Sequence, residues 1–264
     1  SRVDYANDTA TALSKGPLTA DCYMRSATGD SNFGYFSGGY QWPVFDISTI
    51  DRIDYSNDTA TASPKGPLST GARRTAGVSS QIVASFAPPT ILAPVQPPFP
   101  FPVQLPGPGP AYGYFGGGRY PSAGNYSIVD RVDYSNDTPT MSPKGQLSYT
   151  FSAMMADFSN ANYGWLAGRS PGPARSIVDR LDFSNDTGTT PARGPLTQST
   201  SAAMGVGDAN YGYACGGSID GTYGVSKVER VDYSNDTATA SIKGPLSGGR
   251  TYGGGVSAAD NANP

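Results

Sequence analysis

Arg230-Val231-Asp232-Tyr233-Ser234-Asn235-Asp236-Thr237 decides the fold, because the chain writes this stretch five times. The other copies are Arg2-Val3-Asp4-Tyr5-Ala6-Asn7-Asp8-Thr9, Arg52-Ile53-Asp54-Tyr55-Ser56-Asn57-Asp58-Thr59, Arg131-Val132-Asp133-Tyr134-Ser135-Asn136-Asp137-Thr138 and Arg180-Leu181-Asp182-Phe183-Ser184-Asn185-Asp186-Thr187. Each runs on to a Gly-Pro-Leu-like stop, at Gly16-Pro17-Leu18, Gly66-Pro67-Leu68, Gly145-Gln146-Leu147, Gly194-Pro195-Leu196 and Gly244-Pro245-Leu246. The aspartates Asp4, Asp54, Asp133, Asp182 and Asp232 step by 50, 79, 49 and 50 residues. A near-constant period in this range belongs to solenoids and propellers, whose units bury their faces only against their neighbours.

Outward from the repeated stretch, the fourth period divides into short pieces. Asn162-Tyr163-Gly164-Trp165-Leu166-Ala167-Gly168 is an aromatic run ending in small residues, matched at 32–39, 111–118 and 210–217. The terminal glycines permit positive φ or close backbone approach. In Ser176-Ile177-Val178-Asp179-Arg180-Leu181-Asp182-Phe183, strand geometry puts Val178, Arg180 and Asp182 on one face. Ile177, Asp179, Leu181 and Phe183 fall on the other. Ser184-Asn185-Asp186-Thr187 is a turn, since Asn and Asp accept left-handed geometry and bond to their own backbone. The Thr-rich piece that follows predicts a polar outer strand, and Ser201-Ala202-Ala203-Met204-Gly205-Val206 a crowded inner one. Four strands per period match a propeller blade. The expectation is an all-β chain, one domain over 1–264, with about five four-stranded blades beginning near 1, 51, 130, 179 and 229. Residues 252–264 align with a first strand, and the aromatic strand that should follow is missing. Either the two ends complete one blade together, or the chain is part of a longer ring.

Tyr213-Ala214-Cys215-Gly216-Gly217, then Val228-Glu229-Arg230-Val231-Asp232-Tyr233, then Pro245-Leu246 through Arg250 follow the order of a kelch repeat. The chain resembles that family over nearly its whole length. It departs in one respect, since the kelch Trp after the turn is Thr or Ala in all five copies. The resemblance implies a kelch-like β-propeller that presents loops from a rigid ring. The Asp-Tyr-Ser-Asn-Asp-Thr string is also similar to repeat proteins of marine bacteriophages and other aquatic viruses, which implies a place on a virion.

Composition agrees with a β-rich chain of many turns: 34 Gly, 23 Pro and 17 Tyr among 264 residues. The net charge of −3 comes without a basic block, which argues against a nucleic-acid partner. No apolar run reaches the length of a membrane span. The chain opens on Ser1 without an initiator Met or a leader, the expectation for a processed chain or a fragment. Cys22 and Cys215 allow one disulfide, but the count does not make a disulfide scaffold, and two small buried residues are the favoured reading. Histidine is absent, which removes imidazole bases, His-dependent triads and most zinc, copper or haem sites. The expectation is a chain without enzymatic activity, cofactor or metal.

The candidate residues fall into groups. Arg2 and Asp4, Arg52 and Asp54, Arg131 and Asp133, Arg180 and Asp182, and Arg230 and Asp232 recur on one strand face, most with an acid just before the Arg, at Asp51, Asp130, Asp179 and Glu229. Equal repetition favours ion-pair rungs between blades, ~0–1 kcal/mol each if exposed, over a sugar or cation site. Asn7, Asn57, Asn136, Asn185 and Asn235 sit in Asn-Asp-Thr glycosylation patterns, as Asn125 does in Asn-Tyr-Ser, but turn chemistry explains the repeated ones without glycans. Asp232, Asn235 and Asp236 lack the glycine-bearing spacing of a calcium loop. Two features break the symmetry. A Pro-rich insertion at 88–110 carries Phe99 and Phe101 and predicts contact with a partner or another subunit, with a disordered surface loop as the alternative. The turn Tyr40-Gln41-Trp42-Pro43-Val44-Phe45 places Tyr40, Trp42 and Phe45 where aromatic residues cap the adjacent blade or, read functionally, serve protein contact or sugar stacking. The sequence therefore predicts a structural or adhesive module on a virion or outside the cell, partnered by other structural subunits. A lectin with repeated glycan sites between blades is the alternative.

Overall fold

The alternation read from each period becomes antiparallel sheet, with the three inner strands in the same order each time; the expected outer strand of the fourth period is reduced to a bridge between Asp179 and Ala192. The computed structural model describes residues 1–2, 11–80, 111–120, 124–151, 155–169, 175–219 and 222–257. The strands of the first sheet region are β1 (Ser26–Gly29), β2 (Phe33–Ser37), β3 (Tyr40–Gln41), β4 (Phe45–Asp46), β5 (Ile50–Asp54) and β6 (Ser63–Lys65). Next come β7 (Ala76–Ser80), β8 (Tyr112–Gly116), β9 (Arg119–Tyr120), β10 (Gly124–Asp133) and β11 (Ser142–Phe151). Then follow β12 (Ala156–Ser159), β13 (Tyr163–Arg169), β14 (Arg175–Asp182), β15 (Thr200–Ser201), β16 (Met204–Gly207), β17 (Tyr211–Cys215), β18 (Ser218–Ile219), β19 (Val228–Asp232) and β20 (Ser241–Lys243). No α-helix occurs among the described residues, only 3-10 turns at Tyr55–Asn57 and Tyr233–Asn235.

Four main sheets result, ordered β1-β2-β5-β6, β7-β8-β10-β11, β12-β13-β14-β15-β18 and β16-β17-β19-β20, with β3-β4 a separate ribbon and β9 paired to β10. In each the aromatic strand pairs with the Arg-bearing strand in one register: Tyr35 faces Arg52, Tyr114 faces Arg131, Trp165 faces Arg180 and Tyr213 faces Arg230. The Gly-Gly pairs that end three of the aromatic strands adopt positive φ, 58° and 112° at Gly38 and Gly39. A Cβ on Gly38 would come within 2.2 Å of the Ala72 carbonyl, so the site excludes any side chain.

Both faces of the inner sheets are covered. Leu181 packs with Tyr114, Val129 and Leu147 of the second sheet, while Val178, one strand face away, packs with Ala214 and Val231 of the fourth. Tyr35, Ile50 and Leu68 meet Phe115, Val132 and Met141 between the first and second sheets. Each fully buried large side chain contributes about 1.5–3 kcal/mol of transfer free energy. The core is therefore a series of inter-sheet layers, and no sheet buries itself alone. The first strands β1, β7, β12 and β16 meet at one cavity, where Gly255 and Ser257 join them. Ser257 Oγ accepts a 2.9 Å hydrogen bond from the Gly207 N–H, so residues 255–257 run beside β16 as a further first strand would. Positive φ at Met24, Arg74, Ala202 and Tyr252 marks the equivalent approach to β1, β7, β16 and residues 255–257.

Candidate functional site

The joint between the first two sheets shows what the repeated string does. Asp133 Oδ1 accepts from the Ser135 N–H at 2.9 Å and from its hydroxyl at 2.6 Å, folding the turn after β10. This carries Asp137 across to the first sheet. There its carboxylate accepts from Arg52 Nη1 at 2.7 Å and from the Tyr35 hydroxyl at 2.9 Å, and lies 3.3 Å from Lys65 Nζ. Its backbone carbonyl accepts from the Gly66 N–H at 2.8 Å. Arg52 is held for this by the Phe33 ring, 4.3 Å beneath its guanidinium. Tyr134 stacks on Tyr35 with centroids 5.0 Å apart, and its hydroxyl reaches Thr28 at 2.8 Å. Burial, then Asp137, holds the Tyr35 phenol above its ordinary value, so it stays a donor.

The same joint recurs. Asp186 takes Arg131 at 2.7 Å and the Tyr114 hydroxyl at 3.1 Å. Asp236 takes Arg180 at 3.0 Å and Trp165 Nε1 at 3.1 Å. Asp58 takes Arg2 at 2.9 Å and Lys15 at 3.0 Å. A second rung lies deeper. The acid before each Arg is buried and accepts from the hydroxyl residue after the preceding Leu: Asp51 from Thr19, Asp130 from Ser69, Asp179 from Ser148 and Glu229 from Thr197. Burial outweighs these donors at Asp130 and Asp179 and raises both carboxyls.

Arg2, Arg52, Arg131 and Arg180 join successive repeats, but not through the carboxylate two residues along the strand. Asp54, Asp133, Asp182 and Asp232 cap their own turns through Ser56, Ser135, Ser184 and Ser234. Those serine donors hold the Asp54 and Asp232 carboxyls low. The partner of Arg2, Arg52, Arg131 and Arg180 is the aspartate of the next repeat's Asn-Asp-Thr turn, too far along the chain for a strand-face argument to find. Asn57, Asn136, Asn185 and Asn235 are exposed, their side-chain oxygens facing the following Thr hydroxyls at 3.2–3.4 Å. Asn125 lies in β10 opposite Arg119. Cys22 and Cys215 are both free thiols, Cys215 buried and Cys22 half-buried. Asp4, Asn7, Phe99, Phe101 and the 88–110 insertion lie outside the described residues.

The 40–45 turn is built differently. Trp42 is 74% exposed and Phe45 46%, while Tyr40 is half-buried. Their rings form one run, Tyr40 to Phe45 at 5.8 Å and Phe45 to Trp42 at 5.7 Å, extended by Tyr23 at 4.9 Å from Tyr40. Phe45 is held at φ 73°, a left-handed conformation unusual for an aromatic residue. Arg73 lies 4.8 Å over the Tyr40 ring and 3.3 Å from the enclosed Asp46 carboxylate, whose oxygens make no hydrogen bond. That contact is close enough to attract and too misaligned to bond. Burial therefore raises the Asp46 carboxyl despite Arg73, Arg119 and Arg74. The result is a rigid aromatic face flanked by cations, suited to stacking on a flat partner group.

The cavity holds a residue that repeat reading missed. It encloses about 440 Å³. Asp157 of β12 faces it where the other first strands place Ala27, Gly77 and Gly205. Its Oδ2 accepts from the Gly77 N–H at 3.1 Å, and burial pushes its carboxyl up to about 7. Aligning the first strands by their Gly-rich turns would have exposed this lone acid. The other titratable lining residue is Asp208, whose Oδ1 is engaged by the N–H groups of Asn210 and Tyr211. Among the described residues no group of three or more His, Cys, Asp or Glu could hold a metal ion. No helix among them is long and apolar enough to cross a membrane.

No protein-family model matches the chain, and no curated protein matches it. Solved structures match it by shape. One, titled "Structure of YjhT", superposes with a TM-score of 0.61 over 89% of this chain and 68% of that one, at 11% sequence identity. At that identity the likeness concerns the fold alone.

Proposed function

We propose that the chain is a kelch-like β-propeller module with a structural or adhesive, non-enzymatic role, making protein–protein contacts at the surface or tail of a virus particle. The observation that carries this reading is the use made of the repeated charges. Arg2, Arg52, Arg131 and Arg180 each engage the turn aspartate of the next repeat, so this chemistry builds the scaffold. First strands gathered at one cavity, and residues 255–257 lying as a further first strand, support propeller geometry. The exposed 40–45 turn is the asymmetric surface that such a scaffold presents. Of the two acids that line the cavity, Asp157 accepts from the Gly77 N–H and Asp208 from the N–H groups of Asn210 and Tyr211, all groups of the scaffold itself. The virion placement rests on the resemblance of the Asp-Tyr-Ser-Asn-Asp-Thr string.

One observation favours a second reading. Trp42 and Phe45 offer the exposed rings on which sugars stack, which would make that turn a single glycan site. Repeated sites between blades are weighed against by the protein groups that already fill the joints. Light scattering with intact mass on the same sample tests the two. The proposal expects an assembly of unmodified chains that ignores a glycan array. A monomer that binds glycans through Trp42 would overturn it.

A further inference from the structure

Position 157 breaks the repeat where the inner strands are otherwise small. Ala27, Gly77 and Gly205 hold its place in β1, β7 and β16, paired with Phe36, Phe115 and Ala214 as Asp157 is with Leu166. The packing there asks for little bulk. A Cβ on Gly77 would come within 2.2 Å of the Ala27 carbonyl, and one on Gly205 within 1.9 Å of the Asp157 carbonyl. β7 and β16 pack on either side of β12, so the surroundings of Asp157 are set by strands of this chain that are all in place. The side chain is half-buried, enclosed by protein except where it faces the cavity. At about 440 Å³ that cavity falls within the roughly 300–1,000 Å³ of small-molecule sites. The Gly77 N–H alone does not offset a carboxylate charge taken from water, and burial raises the carboxyl accordingly.

The rest of the lining has the same sign. Asp208 caps the turn after β16 through the N–H groups of Asn210 and Tyr211, as Asp30 and Asn160 cap theirs, and adds its charge to the wall. No Lys or Arg is among the described lining residues, while Ser79, Ser159 and Asn160 supply neutral polar groups. Behind Gly207 the Tyr233 hydroxyl is buried without a hydrogen-bond partner. Its counterpart Tyr134 reaches the hydroxyls of Thr28 and Ser79, and the residues in those two places around Tyr233 are Phe158 and Gly207. The wall formed by β12 and β16 has thus gained an acid and lost two hydroxyl partners of its phenol. Among the described residues no group of three or more His, Cys, Asp or Glu could hold a metal ion, which leaves an organic cation as the complement.

We propose that this cavity binds a small organic cation, an ammonium or guanidinium compound, with Asp157 as its counter-ion and Ser79, Ser159 and Asn160 as its polar surroundings. A charged donor on a carboxylate that the scaffold leaves short of partners forms the stronger class of hydrogen bond. The structural role stands whether or not the cavity is occupied.

Calorimetric titration of the full chain with butylguanidinium and with butylurea, a neutral compound of nearly the same shape, tests this. Butylguanidinium should bind once per chain, and butylurea roughly tenfold more weakly or worse. Asp157→Asn keeps the shape and removes the charge. Asp157→Ala gives β12 the residue that β1 has at Ala27, so the variant should fold, which circular dichroism checks. Each should weaken butylguanidinium binding by roughly tenfold or more. Asp208→Asn supplies the side chain that Asn160 uses in the preceding turn and should weaken binding by less than about threefold. Equal affinity for the two compounds, or butylguanidinium binding that survives both Asp157 variants, would overturn the assignment, as would a chain that takes neither compound. Ca²⁺ that displaces butylguanidinium at equal concentration would overturn the organic cation in favour of a metal ion.

Discussion

Two turns of this chain behave in opposite ways. The turn at Asn136-Asp137-Thr138 sends its carboxylate into the neighbouring sheet, where Arg52, Tyr35 and Lys65 converge on it, and its Tyr134 ring is buried against Tyr35. The turn at Trp42-Pro43-Val44-Phe45 keeps its rings outside, and the carboxylate that follows, Asp46, is enclosed without a hydrogen bond. The first is repeated and saturated; the second is unique and unsatisfied. Repetition marks the groups that hold repeats together, and departure from it marks the surface left for something else.

The largest effect that would break this comparison is at Asp137. Replacing it with Ala leaves Arg52, Lys65 and Tyr35 without their shared acceptor and should cost about 3–5 kcal/mol in urea unfolding. Asp58→Ala, at the joint where Arg2 is 56% exposed, should cost about 1 kcal/mol or less. Equal losses would mean that the joints are not graded by burial. Next in size is Gly66→Val, whose Cβ lands 1.7 Å from the Pro139 carbonyl and should cost about 2–3 kcal/mol. Gly244→Val should stay within about 0.5 kcal/mol of wild type.

Asp157 sharpens the comparison through pH. Its carboxyl is raised from 3.8 to about 7 in the folded chain, which therefore binds this proton more tightly than the unfolded chain does. The stability it contributes is fully present below the unfolded value and is lost as pH rises through 7. Asp157→Asn should flatten that part of the stability–pH curve, by on the order of 1–2 kcal/mol because the cavity is not sealed from solvent. A curve unchanged by the substitution would refute the assignment. The smallest stability effect belongs to Trp42→Ala, within about 0.5 kcal/mol, since the ring is 74% exposed. Thermal melting that shifts by more would place Trp42 in the scaffold.

The two faces of the Arg-bearing strand were legible because period-2 alternation recurs with the repeat. Val178 and Leu181 fall on opposite faces, and the structure buries them against different sheets. Gly38 and Gly39 were legible as positive-φ positions because nothing else follows an aromatic strand so regularly. The partner of Arg52 was not legible: Asp54 is near in sequence, whereas Asp137 is brought close only by stacking one sheet on the next. Asp157 was hidden for the opposite reason, since a single acid in a small-residue strand has no repeated signature.

The turn aspartate of one repeat, and not the aspartate two residues beyond the arginine, completes the joint. A pair of double-mutant cycles measures it directly, Arg52→Ala with Asp137→Ala and Arg52→Ala with Asp54→Ala. Coupling should be about 1.5–3 kcal/mol in the first cycle and within about 0.5 kcal/mol of zero in the second. Coupling confined to Arg52 and Asp54 would contradict it.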